Sequence, residues 1–280
     1  YTEVEKVQIA KRHLITKQMK ENGLKASQMK IDDELILYLI RYYTRESGVR
    51  QLERVIARVC RKCVLAILKD KKRSMKITKK VVKEWLGHEK FEYGKAESED
   101  QVGTVTGLAY TAFGGDVLQI EVNHFKGKGA LVVTGQLGDV MKESASIAYD
   151  YVKANADNYE INPEFFEKND VHIHVPEGAV PKDGPSAGIT LTTALVSALS
   201  GRKVKRDVAM TGEVTLRGNV LPIGGLKEKS MAAHRCGIST IVIPKANVKD
   251  LDEVPQVVKD AINFVPVDKV SQVLDVALVK

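Results

Sequence analysis

The sequence predicts an α+β protein in two parts, a helical first third followed by a mixed α/β remainder, on three observations. Apolar residues recur at helical spacing through residues 1–88. Residues 89–101 are charged and poor in apolar side chains, which is typical of a linker. From residue 102 onward, short stretches of strand-like alternation are interleaved with helical segments. The predicted domains are therefore residues 1–88 and 102–280.

The first part should contain four helices with short connections, which implies a small bundle. Asn22-Gly23 ends the first helix, and Asp32 can cap the second. Thr78 can cap the fourth helix, which ends at Gly87. The third helix carries a stripe of six apolar residues, namely Val49, Leu52, Ile56, Val59, Cys63 and Ile67.

The second part should alternate strands with helices and contain two hairpins, at Gly114-Gly115 and at Arg217-Gly218-Asn219. The predicted strands are 102–110, 117–122, 130–134, 171–175, 208–211, 214–221 and 240–243. The predicted helices are 138–156, 186–200, 226–236 and one near the C-terminus.

Composition excludes several classes of protein. Of the 280 residues, 44% are hydrophobic and 28% charged, which is ordinary for a globular protein and argues against intrinsic disorder. The apolar runs are far shorter than the roughly 20 residues that cross a bilayer, so no membrane association is expected. Three cysteines cannot build a disulfide framework, which suits a reducing compartment. Because the chain opens without Met or a signal-like segment, we expect it to be a piece of a longer polypeptide.

The positive charge lies in the first third. Residues 1–100 hold 24 lysine and arginine residues against 15 aspartate and glutamate residues, whereas the remainder holds 19 against 21. A basic helical region is consistent with nucleic acid, an acidic partner, nucleotide phosphates or simply a solvated surface. Cys60 and Cys63 also lie there as a C-x-x-C, but they fall on or beside the apolar stripe and have no second pair. We interpret them as buried structural cysteines and expect no metal site.

Ser186 is the first candidate for chemistry. It falls at the start of a predicted helix, behind Gly184-Pro185. Unpaired N–H groups and the helix dipole at such a position suit an oxyanion hole for acyl transfer. The alternative is that Ser186 or Asp183 merely caps this helix.

A serine nucleophile needs a base, and Lys229 is one candidate. In the predicted helix 226–236, Leu226, Lys229, Ala233 and Cys236 share one face, so Lys229 lies on the apolar stripe whereas Lys227 does not. Lowering a lysine pKa from about 10.4 to about 8 would cost roughly 3 kcal/mol. The alternative is a lysine whose stem packs while its ammonium group reaches water.

The residues 184–188 also fit G-x-S-x-G, the nucleophile elbow of α/β-hydrolases. The only histidine after Ser186 is His234, within a helical stretch rather than a loop at a strand end. An α/β-hydrolase-type esterase using His234 is therefore one alternative function. A nucleic-acid-binding module built on the basic helices is another.

Three blocks of sequence resemble the proteolytic domain of the bacterial Lon protease family, A type. They are PKDGPSAG at 181–188, MTGEVTLRG at 210–218 and LPIGGLKEK at 221–229. Residues 1–88 resemble the small helical domain that closes the AAA+ ATPase module of that family. The resemblance implies an ATP-dependent serine endopeptidase of the endopeptidase La type, which degrades misfolded and regulatory proteins in the cytoplasm as a homohexamer.

The resemblance also implies roles for single residues. The Ser–Lys dyad corresponds to Ser186 and Lys229, Thr211 orients the lysine, and Asp183 supports or regulates the site at its entrance. His172 and His174 correspond to a His-x-His strand beside the site, and Glu121 to a glutamate near the substrate groove. Tyr110 stands where many relatives carry tryptophan, which leaves the dyad untouched.

Gly48-Val49-Arg50 resembles the sensor-2 motif, whose arginine contacts ATP phosphates in the full-length enzyme. The phosphate loop G-x-x-x-x-G-K-[ST] is absent, since neither Gly94-Lys95 nor Gly127-Lys128 is followed by serine or threonine. ATP and Mg²⁺ are thus expected as cofactors of the full-length enzyme, with none bound by this chain alone. Further expected partners are unfolded protein substrates and, through the basic regions, DNA.

Overall fold

A computed structural model describes residues 1–92 and 97–280. The described residues divide into two compact units. The first comprises residues 1–92 with Ala112–Gly114, and the second comprises residues 97–111 with Gly115–Lys280. The content of helix and strand confirms the predicted class, a helical region followed by a mixed α/β region.

The first unit is helical, with one pair of two-residue strands. Its helices are α1 Glu3–Ile9, α2 Ile15–Glu21, α3 Asp33–Tyr43, α4 Arg50–Asp70 and α5 Lys79–Leu86, and its strands are β1 Met29–Lys30 and β2 Met75–Lys76. A π-helical turn at Ala10–Leu14 joins α1 to α2, so the first predicted helix is interrupted. The strands β1 and β2, which pair in parallel, were not predicted.

The predicted caps form in the first unit. The Asp32 carboxylate accepts the N–H of Leu35 at 2.9 Å and so begins α3, while the Thr78 hydroxyl accepts the N–H of Val81 at 3.4 Å and begins α5. Gly87 ends α5 with a φ of 85°. Leu52, Ile56, Val59 and Cys63 of the stripe are buried in the core of this unit, and the half-buried Val49 and Ile67 pack against it. Cys63 and its neighbour beside the stripe, Cys60, are fully buried free cysteines, as predicted.

The second unit is built on a seven-stranded sheet with helices on both faces. Its strands are β3 Gln101–Val102, β4 Thr104–Thr111, β5 Gly114–Lys126, β6 Leu131–Thr134, β7 Asn169–His174, β8 Lys203–Val204, β9 Val208–Met210, β10 Glu213–Val214, β11 Val220–Leu221, β12 Thr240–Pro244 and β13 Asn263–Val267. Its helices are α6 Asp139–Ala154, α7 Phe165–Lys168, α8 Gly188–Ser200, α9 Leu226–Arg235, α10 Gln256–Ala261 and α11 Val270–Ala277, with 3₁₀ segments at Ala156–Tyr159 and Lys245–Glu253.

The strand order in the large sheet is β13-β12-β9-β4-β5-β7-β6. The pairs β13–β12, β12–β9, β9–β4 and β7–β6 are parallel, and β5–β7 is antiparallel. The second unit has two hydrophobic clusters, and successive residues of β12 belong to different ones. Val242 belongs to the cluster that includes residues of α6, α8 and α11. Ile241 and Ile243 belong to the cluster that includes residues of α9 and α10. The two clusters therefore cover opposite faces of the sheet.

One predicted strand differs from the structure, and one strand of the large sheet was not predicted. The predicted strand 214–221 is a hairpin of β10 and β11, whose turn includes Gly218 at a φ of 75°. Strand β13 was not predicted, because Pro266 interrupts its apolar pattern. The structure accommodates this proline because β13 is an edge strand, so the backbone groups along one of its two edges need no hydrogen-bond partner in a neighbouring strand.

The predicted linker 89–101 is only partly covered, since residues 93–96, including Gly94-Lys95, lie outside the described residues. On one side, the N–H groups of Lys90 and Phe91 both donate to the carbonyl of Tyr42. On the other side, the Asp100 carboxylate accepts the N–H of Arg206 at 2.9 Å. Both flanks of the linker are therefore anchored, each to its own unit, and the exact domain boundaries stay a prediction.

Candidate active site

Ser186 lies two residues before the first residue of α8 and is half-buried. Its carbonyl accepts the N–H of Gly212 at 2.8 Å, and the Gly212 carbonyl accepts the N–H of Ile189 at 3.0 Å. These two bonds join the start of α8 to the segment that follows β9. The backbone of the serine is thus held by a strand end of the central sheet.

Gly188 allows this close approach. A Cβ atom at position 188 would lie 2.6 Å from the backbone nitrogen of Val214 and 3.2 Å from the carbonyl oxygen of Gly212. Backbone atoms cannot move aside as the end of a side chain can, so only glycine lets the helix start sit against this segment. Close packing against this segment therefore requires glycine at position 188, two residues after Ser186.

The N–H groups around Ser186 are available to a ligand. Over residues 1–92 and 97–280, neither the Ser186 N–H nor the Ala187 N–H has a hydrogen-bond acceptor. The first turn of α8 contains no acidic residue that would compensate the positive end of its dipole. A negatively charged oxygen beside the serine would find both donors and a favourable dipole there.

Lys229 is buried on α9 with only 2% of its surface exposed. Its face of the helix is the one predicted, since Leu226 and Ala233 are also buried. The Lys229 Nζ donates to the Thr211 hydroxyl at 3.1 Å, and burial lowers the pKa of this lysine to about 8. The group is therefore positioned to exchange a proton near neutral pH, unlike an ordinary lysine.

Thr211 connects the lysine to the serine. It follows β9, is fully buried, and its hydroxyl accepts from Lys229 while making a long hydrogen bond of 3.5 Å to the Ser186 carbonyl. Among the described residues no hydrogen bond joins the Ser186 hydroxyl directly to Lys229. The structure thus brings three of the predicted site residues together, with Thr211 between the other two.

Asp183 caps a different helix from the one considered in the sequence. Its Oδ1 accepts the N–H of Met141 at 3.0 Å, in the first turn of α6, and the N–H of Gly184 at 2.8 Å. The alternative expectation, that Asp183 caps α8, was therefore wrong, because the chain after β7 passes the start of α6 before it reaches α8. Asp183 lies at the approach to Ser186, and its exposed carboxylate is held on α6.

Glu121, His172 and His174 lie together in a separate groove. They line a polar cavity of about 400 Å³ that includes neither Ser186 nor Lys229. Glu121 faces His174 across the β5–β7 pair, and both histidines contact the Thr134 hydroxyl, at 2.8 Å from His172 Nε2 and 2.7 Å from His174 Nδ1. The structure therefore groups these three predicted residues with one another rather than with the serine. In the part of the chain that is described, no set of three or more His, Cys, Asp or Glu side chains is arranged to hold a metal ion.

The remaining candidates are Arg50, in the first unit, and His234, in the second. Arg50 is the exposed first residue of α4, and the nearby N–H groups of Gln51 and Leu52 are capped by the Glu46 carboxylate at 2.9 and 2.8 Å. His234 is on α9, half-buried, five residues beyond Lys229 and so on another face. It has no side-chain hydrogen bond within the described ranges.

Sequence reasoning missed two polar side chains, one beside the loop that carries Ser186 and one in the groove of the histidines. Lys182 binds three backbone carbonyls beside the loop that carries Ser186, and Thr134 joins the two groove histidines. The only local signal for Lys182 is its place within 181–188. Thr134 carries no signal, since its partners lie 38 and 40 residues away.

Comparison with known proteins gives two family matches. Residues 76–280 match the Lon protease (S16) C-terminal proteolytic domain. Residues 20–80 match the Lon protease AAA+ ATPase lid domain. Together the matches cover both parts of the chain, in the order that the sequence predicts.

Curated relatives are similar over the whole chain. "Lon protease 1" of Bacillus subtilis (strain 168) is 56% identical over 279 residues, which is 100% of this chain and 36% of the relative. "Lon protease" of Escherichia coli (strain K12) is 54% identical over 279 residues, which is 99% of this chain and 36% of the relative. The chain therefore spans about a third of the length of these relatives. Among the described residues, no helix combines the length and the hydropathy needed to span a bilayer.

Proposed function

This chain belongs to the Lon protease family, and we propose that it carries the peptide-cleaving site of a serine endopeptidase in which Ser186 is the nucleophile and Lys229 the general base. The observation that carries the proposal is the buried Lys229, whose pKa of about 8 lets it accept a proton near neutral pH. A surface lysine, charged up to its ordinary pKa of 10.5, could not do so.

The reaction assigned to these groups is acyl transfer. The Ser186 Oγ attacks the scissile carbonyl carbon while its proton passes to the neutral Lys229 Nζ. The carbonyl oxygen becomes negative and is held by the N–H groups of Ser186 and Ala187. As the C–N bond breaks, Lys229 returns the proton to the leaving amine. Water then cleaves the acyl–serine ester, with Lys229 again taking and returning one proton.

Thr211 and Asp183 support this chemistry. Thr211 holds the lysine ammonium near the serine backbone and so limits the rotamers of Lys229. Asp183 anchors the loop before Ser186 on α6, which fits a supporting or regulatory role at the approach to the site. The groove of Glu121, His172 and His174 suits contact with a polypeptide outside the reacting bond, since it is polar and open.

The larger setting belongs to the proposal as well. We infer that the longer protein degrades unfolded, misfolded and regulatory proteins in the cytoplasm, as a homohexamer that uses ATP and Mg²⁺. Of an ATP site this chain offers Arg50, an exposed arginine at a helix start, and no phosphate loop. Arg50 would therefore contact phosphates held by another domain, and no step of peptide cleavage passes through ATP. DNA binding through the basic helices also stays a proposal.

The alternatives have less support. An α/β-hydrolase-type esterase needs His234 beside Ser186, yet His234 is on a different face of α9 from Lys229. A purely nucleic-acid-binding module would not explain why Lys229 is buried and hydrogen-bonded to Thr211. The family matches favour neither alternative.

The test is cleavage of a short unstructured fluorogenic peptide. Ser186→Ala and Lys229→Ala should each lower cleavage at least about a thousandfold, because each removes one of two groups that act as a unit. Lys227→Ala and His234→Ala serve as matched controls on the same helix and should keep cleavage within about twofold. Unaltered cleavage by folded Lys229→Ala, or its loss in His234→Ala, would contradict the mechanism.

A further inference from the structure

Lys182 binds backbone rather than an acidic side chain. Its Nζ donates to three carbonyl oxygens, those of Gly135 at 3.2 Å, Glu177 at 2.8 Å and Val180 at 3.1 Å. An ammonium group has three N–H donors, so the three carbonyls match its full capacity. No ion pair of Lys182 occurs over the described residues.

The backbone of Lys182 is bound at the same place. Its N–H donates to the Gln136 carbonyl at 3.1 Å, and its own carbonyl accepts the N–H of Gly138 at 2.7 Å. Residues 137 and 182 form a parallel bridge. The loop after β7 is therefore fastened to the turn between β6 and α6 by one residue, through both its backbone and its side chain.

Two residues that contact Lys182 have uncommon backbone conformations. Gln136 has a φ of 54° and Glu177 a φ of 65°, which are in the left-handed region that non-glycine residues seldom adopt. Such conformations are unfavourable by themselves and persist only where neighbouring contacts compensate their cost. The Lys182 N–H bond to Gln136 and its ammonium bond to Glu177 are contacts of this kind.

Ser186 follows Lys182 by four residues, and the chain between them has one more anchor, the Asp183 carboxylate on α6. After Ser186, the carbonyl bond to Gly212 holds the other side. We propose that Lys182 is a positioning residue for Ser186, which orders the loop before the serine by binding the carbonyls of Gly135, Glu177 and Val180. This inference rests on the proposed role of Ser186 as nucleophile.

The first test measures kcat and KM for the unstructured peptide. Lys182→Met keeps the length of the stem but removes all three donors, so kcat should fall at least about tenfold while KM stays within about twofold, since a misplaced nucleophile affects the reacting step most. Lys182→Arg keeps a charge and several donors and should lose less. Lys142→Met, at an exposed lysine near the start of α6, is the matched control and should change neither constant.

The second test is amide hydrogen exchange, which needs no activity. In Lys182→Met the N–H groups of Gly138, Met141 and the substituted residue 182 should exchange at least about tenfold faster, because their acceptors lie in the released contact. Amides of α9 should be unchanged. If Lys182→Met does not fold, Lys182→Gln keeps two donors and should show smaller changes of the same kind.

Two results would overturn the inference. One is unchanged exchange at these three amides in the folded variant, which would mean that Lys182 does not hold the loop. The other is a faster exchange with an unchanged kcat, which would mean that loop order does not position the serine. Failure of the proposed function is distinguishable: the unsubstituted chain would cleave no peptide, whereas faster exchange in Lys182→Met would still show the anchor.

Discussion

Replacing the proposed base should make the protein more stable at neutral pH. Lys229 is 2% exposed, and burial lowers its pKa from 10.5 to about 8. Below pH 8 the folded protein must keep this ammonium charged in a dry site, which costs roughly 3 kcal/mol relative to the unfolded chain. Lys229→Met removes the charge and keeps the volume of the stem. It also removes the hydrogen bond to Thr211, which contributes about 1 kcal/mol.

The net effect at pH 7 is therefore a gain of about 2 kcal/mol in the free energy of unfolding. The sign reverses with pH. Because the folded-state pKa is depressed, the unfolded chain binds more protons between pH 8 and 10.5, and the stability of the unsubstituted protein rises across this window. Above pH 10.5 the charge penalty is gone, so Lys229→Met should be the less stable protein by about 1 kcal/mol.

The assay is urea unfolding followed by far-ultraviolet circular dichroism at pH 7 and at pH 10.5. Fluorescence would be a poor probe, since the single tryptophan, Trp85, is on α5 in the first unit, whereas Lys229 is in the second. Lys227→Met, on the same helix and half-buried, is the control and should show no such dependence on pH. A Lys229→Met variant that is destabilised equally at both pH values would refute the reasoning, because it would mean that the lysine carries no charge penalty.

Two further predictions concern the same site. Peptide cleavage should rise about fivefold from pH 7 to pH 8 and level off above pH 9, because the neutral fraction of a lysine with a pKa of about 8 changes in this way. The measurement is a pH–rate profile of kcat. A plateau already complete by pH 7 would indicate an imidazole base instead. Gly188→Ala should destabilise the second unit by about 1–3 kcal/mol and lower kcat at least about tenfold, because the added Cβ would lie 2.6 Å from the Val214 nitrogen. Chemical unfolding and peptide cleavage measure the two effects, and Gly178→Ala, where a Cβ would meet open space, is the control. An unchanged kcat in Gly188→Ala would show that the start of α8 can shift without moving Ser186.

Much of the fold could be predicted because its signals are local. The helices of the first unit follow from apolar periodicity and from caps such as Asp32 and Thr78, whose hydrogen-bond partners lie three residues away. The same holds for the burial of Lys229, since helix geometry alone puts it on the face of Leu226 and Ala233. Strand β13 escaped prediction because proline is acceptable in a strand only at a sheet edge, and edge position is a property of the whole sheet.

The sequence by itself determined the class of the fold, the two candidate reacting residues and the choice of Lys229 over Lys227. Tertiary structure alone decided which groups those residues meet. Asp183 caps α6 and not α8, Lys182 binds carbonyls as many as 47 residues away, and Thr211 links the lysine to the serine across 18 and 25 residues. The physical reason is that periodicity and capping act within one helical turn. A carboxylate, ammonium or hydroxyl group, by contrast, can bond any complementary group that the folded backbone brings within about 3 Å.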